Sequence, residues 1–205
     1  LTLNLPENIT AYTGMDALTH AIEAYISKYA TEYTNTEALK AIKLILENLP
    51  AAVKNGADTR SRRNMLLASN YAANAFTRAY TGYVHTISHA FGALYNSNHG
   101  KTNAAILPLV LRFYGKSVEK KLAEIAVYSG LAKKEDSTAY SAAKLIEHIE
   151  SLNTAFGITH KIPELKKPDI PLIAKKALAE GNPSYPVPKI MNFYECCGII
   201  EKLLA

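Results

Sequence analysis

Cysteine is scarce in this chain, and the two that occur, Cys196 and Cys197, are adjacent. Neighbouring cysteines are too close for an ordinary disulfide and lack the C-x-x-C spacing of redox and zinc sites. A disulfide framework is thereby excluded, and a reducing, cytoplasmic setting is expected. The ten glycines include no G-x-G-x-x-G and no G-x-x-x-x-G-K. If the chemistry needs a nucleotide, most of its binding site lies elsewhere. Long apolar runs are missing too: no segment approaches the ~18 consecutive apolar residues of a membrane span. The opening residues, LTLNLPENIT, have neither the basic nor the apolar region of a signal peptide. A membrane partner is not expected.

What is present suits a folded, helical protein. The 205 residues are 48% hydrophobic and 20% charged, enough apolar material for a real core. Alanine is abundant, β-branched runs are short, and Gly and Pro cluster between long segments. This pattern predicts an all-α protein, a multi-helix bundle with helices near 13–28, 34–55, 59–80, 84–96, 101–115, 117–130, 135–156, 169–180 and 189–204. Before Pro6 the alternation of Leu and polar residues suggests an extended stretch. The net charge of +5 comes from Lys pairs with acidic residues close by, which describes a solvated surface. The tyrosines are scattered and line no basic stripe, so nucleic acid is not an expected partner.

Chemistry concentrates in two segments. In TGMDALTHAIEAY, Asp16 and His20 are four apart, so a helix places them one turn apart on one face, with Cβ atoms about 5–6 Å apart. In VHTISHAFGALYNSNHG, His85 and His89 repeat that spacing, and His99 follows in a polar turn closed by Gly100. One carboxylate and several imidazoles make a donor set suited to Zn²⁺ or Fe²⁺ without any cysteine. A single histidine on such helices is more often a hydrogen-bonded core residue. Several together, with no shared partner, would leave many buried polar atoms to satisfy. His148 reads as a helix-surface or packing residue, and His160 lies in a loop with no evident partner.

TGMDALTHAIEAY, AFTRAYTGYVHTISHAFGALYNSNHGKTNAAILPLVLRFYG and GNPSYPVPK together closely resemble the C-terminal helical domain of iron-containing (group III) alcohol dehydrogenases. The resemblance runs from about residue 6 to the end. It implies the dehydroquinate-synthase-like fold and a divalent metal, Fe²⁺ or Zn²⁺, held by Asp16, His20, His85 and His99. It further implies that His89 is a non-ligand residue close to the nicotinamide and the substrate. An imidazole one turn from His85, and so beside the metal, is expected to act catalytically by relaying the alcohol proton. Phe76 matches an aromatic wall of the substrate pocket, although simple core packing accounts for it equally well.

On this resemblance residues 1–205 form one helical metal-binding domain. Residues 1–5 are the linker from an N-terminal nucleotide-binding domain that binds most of the NAD or NADP. The implied activity is a metal-dependent, NAD(P)-linked alcohol dehydrogenase or aldehyde reductase acting on a small alcohol or aldehyde. Its chain would be inactive without the N-terminal partner domain, and a homo-oligomer is expected. Two alternatives stand: a glycerol-dehydrogenase-like zinc polyol dehydrogenase, and a helical metal-binding module without catalysis. The sequence also departs from many family members. Thr77-Arg78 stands where they have Ser-Asn, Asn98 where they have Pro, and Tyr80 and Tyr83 are bulkier. Substrate preference therefore does not carry over.

Overall fold

The computed structural model describes residues 2–205; Leu1, the first residue of the expected linker, lies outside the described residues. Nine α-helices and no strand occur among the described residues. They are α1 (Glu7–Ile26), α2 (Glu32–Lys54), α3 (Thr59–Ala79), α4 (Tyr83–Tyr95), α5 (His99–Tyr114), α6 (Glu119–Tyr128), α7 (Thr138–Ala155), α8 (Ile170–Gly181) and α9 (Phe193–Glu201).

Helix α1 is the axis of the bundle. Met15, Leu18, Ala21, Ile22, Ala24 and Tyr25 are buried around most of its circumference, as expected of a helix enclosed by others. It packs against α2, α3 and α5. Gly14 lets α2 approach, since a Cβ there would collide with the Leu49 side chain. The facing stripe of α3 is built from Ala68, Ala72, Ala75 and Ala79, so its backbone also comes close. On the other side α4 packs on α5 and α8, while α6 pairs with α7, and α8 with α9.

Sequence signals explain the helix ends. Thr31 and Thr34 form a reciprocal cap at the start of α2, Asp58 caps α3, and Asn192 with Glu195 closes a capping box at α9. Two helix starts and the residues before Pro6 differ most from expectation. Helix α1 starts at Glu7 rather than near 13, because Pro6, with φ −55°, is a suitable residue immediately before a helix and Glu7 favours its first turn. The residues before Pro6 form a turn instead of an extended stretch: Leu5 N–H donates to the Thr2 carbonyl at 3.2 Å, and the buried Arg62 guanidinium donates to the Leu5 carbonyl at 3.1 Å. Helix α9 starts at Phe193 rather than 189, where the Asn192 cap sets the boundary.

The bulk of Tyr83 has a structural use. The side chain is fully buried; its hydroxyl donates to Asn182 Oδ1 and accepts from Met191 N–H at 3.0 Å, tying the 182–191 loop to α4. His148 is half-buried on α7, where burial lowers its pKa, in keeping with a packing residue. His160 is exposed and lines a cavity of about 600 Å³ between α5 and the end of α7.

Candidate metal centre

Three helices bring the polar residues of the two motifs together where α1 passes the first turns of α4 and α5. Asp16 and His20 stand one turn apart on α1, with His20 Nδ1 3.8 Å from Asp16 Oδ2. His85, in the first turn of α4, points its Nε2 at Asp16 Oδ1 from 3.8 Å. One donor atom each from Asp16, His20 and His85 lies within 4.8 Å of the other two.

His99 reaches the same carboxylate, with Nε2 3.5 Å from Asp16 Oδ1, but stands outside that tightest group of three. It is the first residue of α5 rather than part of a turn, because Asn98 caps the helix by accepting from Lys101 N–H. Gly100 brings this end of α5 onto α1, since a Cβ there would meet the Tyr12 carbonyl. Asn103, one turn further along, donates to Asp16 Oδ1 at 2.7 Å, and the same amide nitrogen lies 3.0 Å from His99 Nε2.

A residue that the motifs did not single out organises the centre. Glu23, one turn beyond His20 on α1, is 3% exposed. It accepts from the backbone N–H groups of Gly82 and Val84 at 2.9 Å each, and sits 2.6 Å from His85 Nδ1. Gly82 has no side chain with which to cap α4, so the carboxylate does so from across the bundle. An ionised carboxylate only accepts, so the His85 proton belongs on Nδ1 and the lone pair on Nε2. Nε2 is buried and has no hydrogen-bond partner among the described residues. The spacing Asp16, His20, Glu23 on one helix face carried this information, since positions 0, 4 and 7 share a stripe.

The electrostatics suit a cation. Burial first, and then the neighbouring His85, push the His20 pKa down to about 4. Burial chiefly lowers that of His99. Both imidazoles are therefore neutral near pH 7, with lone pairs available. Asp16 and Glu23 supply negative charge, and among the described residues neither forms an ion pair with Lys or Arg. Four donors about 2.1 Å from a shared ion in tetrahedral array stand about 3.4 Å apart. His85 Nε2 and His99 Nε2, at 3.8 and 3.5 Å from Asp16 Oδ1, are close to that separation, while His20 Nδ1 lies 3.8 Å from the other carboxylate oxygen, Oδ2. The donor types, the orphaned His85 Nε2 and the spacing all fit a divalent metal.

The two other expected residues flank this cluster. His89 lies one turn after His85 and its side chain is 46% exposed. Its ring stacks on that of His99 at 5.3 Å and is 6.0 Å from His85, while Nδ1 faces Glu180. Phe76, on the last turn of α3, stacks on His20 with centroids 4.2 Å apart and is half-buried against the core. It is thus both packing residue and wall of the cluster. Ser88 Oγ, 3.2 Å from His99 Nδ1, completes the set of groups holding the imidazoles.

Fold and cluster define a class: all-helical domains in which a carboxylate and several imidazoles from different helices converge on a candidate metal position. Within that class, the sequence profile for the Fe-containing alcohol dehydrogenase family, C-terminal, matches residues 10–204. The chain belongs to the iron-containing alcohol dehydrogenase family, as its C-terminal helical domain. It is 43% identical over 184 residues to 1,3-propanediol dehydrogenase of Citrobacter freundii, covering 89% of this chain and 48% of that protein. It is 38% identical over 206 residues to the NAD-dependent methanol dehydrogenase of Bacillus methanolicus, covering 100% of this chain and 54% of that one. A crystal structure of 1,3-propanediol oxidoreductase superposes with a TM-score of 0.93 at 39% identity, over 98% of this chain and 53% of that one. An alcohol dehydrogenase from Oenococcus oeni gives 0.92 at 32% identity, over 98% and 53%. The chain spans about half the length of the relatives it matches.

Proposed function

We infer that this chain is the metal-binding half of an NAD(P)-linked alcohol dehydrogenase that interconverts a small alcohol and its aldehyde. Asp16, His20, His85 and His99 would hold a divalent ion, iron or zinc. The observation that carries this reading is His85: its Nδ1 is engaged by Glu23, and its buried Nε2 faces Asp16 with no hydrogen-bond partner among the described residues. Burying an imidazole nitrogen unsatisfied costs about 1–3 kcal/mol, a cost that a ligand at Nε2 removes.

When bound, the ion would act as a Lewis acid that lowers the pKa of an alcohol and polarises an aldehyde carbonyl. The chain's own residues do the rest of the placement. Glu23 keeps the His85 lone pair directed inward, Asn103 steadies Asp16, and Phe76 closes one side of the cluster against water. His89, exposed and stacked beside His99, would take or return the substrate hydroxyl proton, with hydride exchange left to the nicotinamide. The cofactor would be held mainly by a nucleotide-binding portion outside these residues, since the chain has no glycine-rich phosphate loop. The small-alcohol substrate class rests on the names of the propanediol and methanol dehydrogenases to which the chain is similar.

The test joins this domain to a nucleotide-binding portion and measures metal content beside alcohol oxidation. His99→Ala should lose both stoichiometric metal and turnover. Full metal content in that variant would remove His99 from the ligand set.

A further inference from the structure

We propose that Glu180 is a positioning residue for His89, fixing the Nδ1–H tautomer and the ring plane so that the Nε2 lone pair is the one presented for proton transfer. This rests on the role given to His89 above and adds a residue that neither of the two histidine motifs contains. Glu180 lies on the last turn of α8, 91 positions from His89, and α8 packs directly against α4. Its Oε1 lies 2.8 Å from His89 Nδ1. An ionised carboxylate can only accept, so the proton in this contact resides on Nδ1.

The carboxylate is held in turn. Tyr185, in the loop after α8, donates its hydroxyl to the same Oε1 at 2.9 Å. Burial, and then this bond, push the Tyr185 pKa up to about 12, so the hydroxyl stays protonated and remains a donor throughout the range in which an enzyme works. Two donors converging on one oxygen restrict the Glu180 rotamer. On its other side the His89 ring is fixed by near-parallel stacking on His99, with an interplanar angle of 16°. An exposed imidazole with only one of these restraints would sample both tautomers and several χ2 values. With both, Nδ1 is dedicated to Glu180, and Nε2 has no hydrogen-bond partner among the described residues. Glu180 touches no ligand residue of the metal cluster by hydrogen bond or ion pair among the described residues, so its effect reaches the chemistry through His89 alone.

The experiment labels the histidines of this chain with ¹⁵N and reads each imidazole tautomer from two-bond ¹H–¹⁵N correlations, with and without zinc. His89 should show Nδ1–H in the parent. Glu180→Ala should shift it toward Nε2–H or to an average of the two, with His148 unchanged. An unaltered His89 tautomer in Glu180→Ala, or Nε2–H already in the parent, would overturn the proposal. A second arm uses the domain joined to a nucleotide-binding portion. Glu180→Ala should lower kcat on the order of 10- to 100-fold with KM within about twofold, and should add no further loss to His89→Ala. Additive losses would count against action through His89. If His89→Ala leaves turnover unchanged, the catalytic reading of His89 falls, and the tautomer measurement still decides the link to Glu180.

Discussion

Glu23 shows how much a single side chain can determine. It caps α4 from α1 and sets the His85 tautomer, so one carboxylate joins helix geometry to the candidate ligand. Glu23→Gln keeps an oxygen acceptor while removing the charge. Zinc affinity measured by competition with a chromophoric chelator should fall on the order of 10- to 100-fold, the usual cost of losing an outer partner of a ligand. An unchanged affinity would mean that Glu23 only caps the helix. Tyr80 makes the opposite case. At φ 65° and ψ 173° it occupies a region that essentially only glycine enters freely, and the residue is 49% exposed. Releasing about 1–3 kcal/mol of strain against a glycine entropy cost of roughly 0.5–1 kcal/mol, Tyr80→Gly should stabilise the chain by about 1 kcal/mol, visible as a melting temperature roughly 2–4 °C higher. A lower melting temperature would mean that contacts with the Tyr29 and Tyr185 rings outweigh the backbone strain. At this scale the sequence was readable where spacing is local. Asp16 with His20, and His85 with His89, announce themselves by a separation of four. Glu180 does not, because 91 positions separate it from the imidazole it holds.

At the scale of elements, the approach of α5 to α1 decides whether His99 can join the centre. Gly100→Ala would drive a Cβ into the Tyr12 carbonyl, which belongs to backbone and cannot rotate away. The start of α5 must then move, at a cost of about 1–3 kcal/mol. Chemical denaturation should register that loss, and metal affinity should fall with it. Unchanged stability would show that α5 is free to shift. Most helices lay close to where hydrophobic periodicity and turn residues put them. The discrepancies fell at termini, where side-chain caps rule. Asn98 converts the polar turn around His99 into the first residue of α5, and Asn192 delays α9 by four residues. Helix α1 extends back to Glu7 because Pro6 precedes it and Glu7 favours its first turn, and the segment ENITAY, exposed at Glu7 and Asn8 and buried only from Thr10, carries no clear amphipathic stripe to announce it.

For the whole molecule, the all-helical architecture and the family membership were both legible in the sequence, since they rest on long periodic segments and three specific motifs. The convergence of the candidate centre was legible only as an expectation, because it depends on how α1, α4 and α5 cross. A centre assembled from three helices should couple metal binding to global stability. Zinc at a free concentration about 100 times its dissociation constant should add about 2.7 kcal/mol. That corresponds to a melting temperature roughly 5–10 °C higher, reversed by a chelator. A melting temperature indifferent to metal would argue that the cluster is only a hydrogen-bonded core. The central claim is most directly tested by calorimetric titration of the chain and of its His85→Ala variant with a divalent metal. One ion per chain should bind the parent, and binding should be lost in the variant. One equivalent bound by His85→Ala with the parent's affinity would contradict the account.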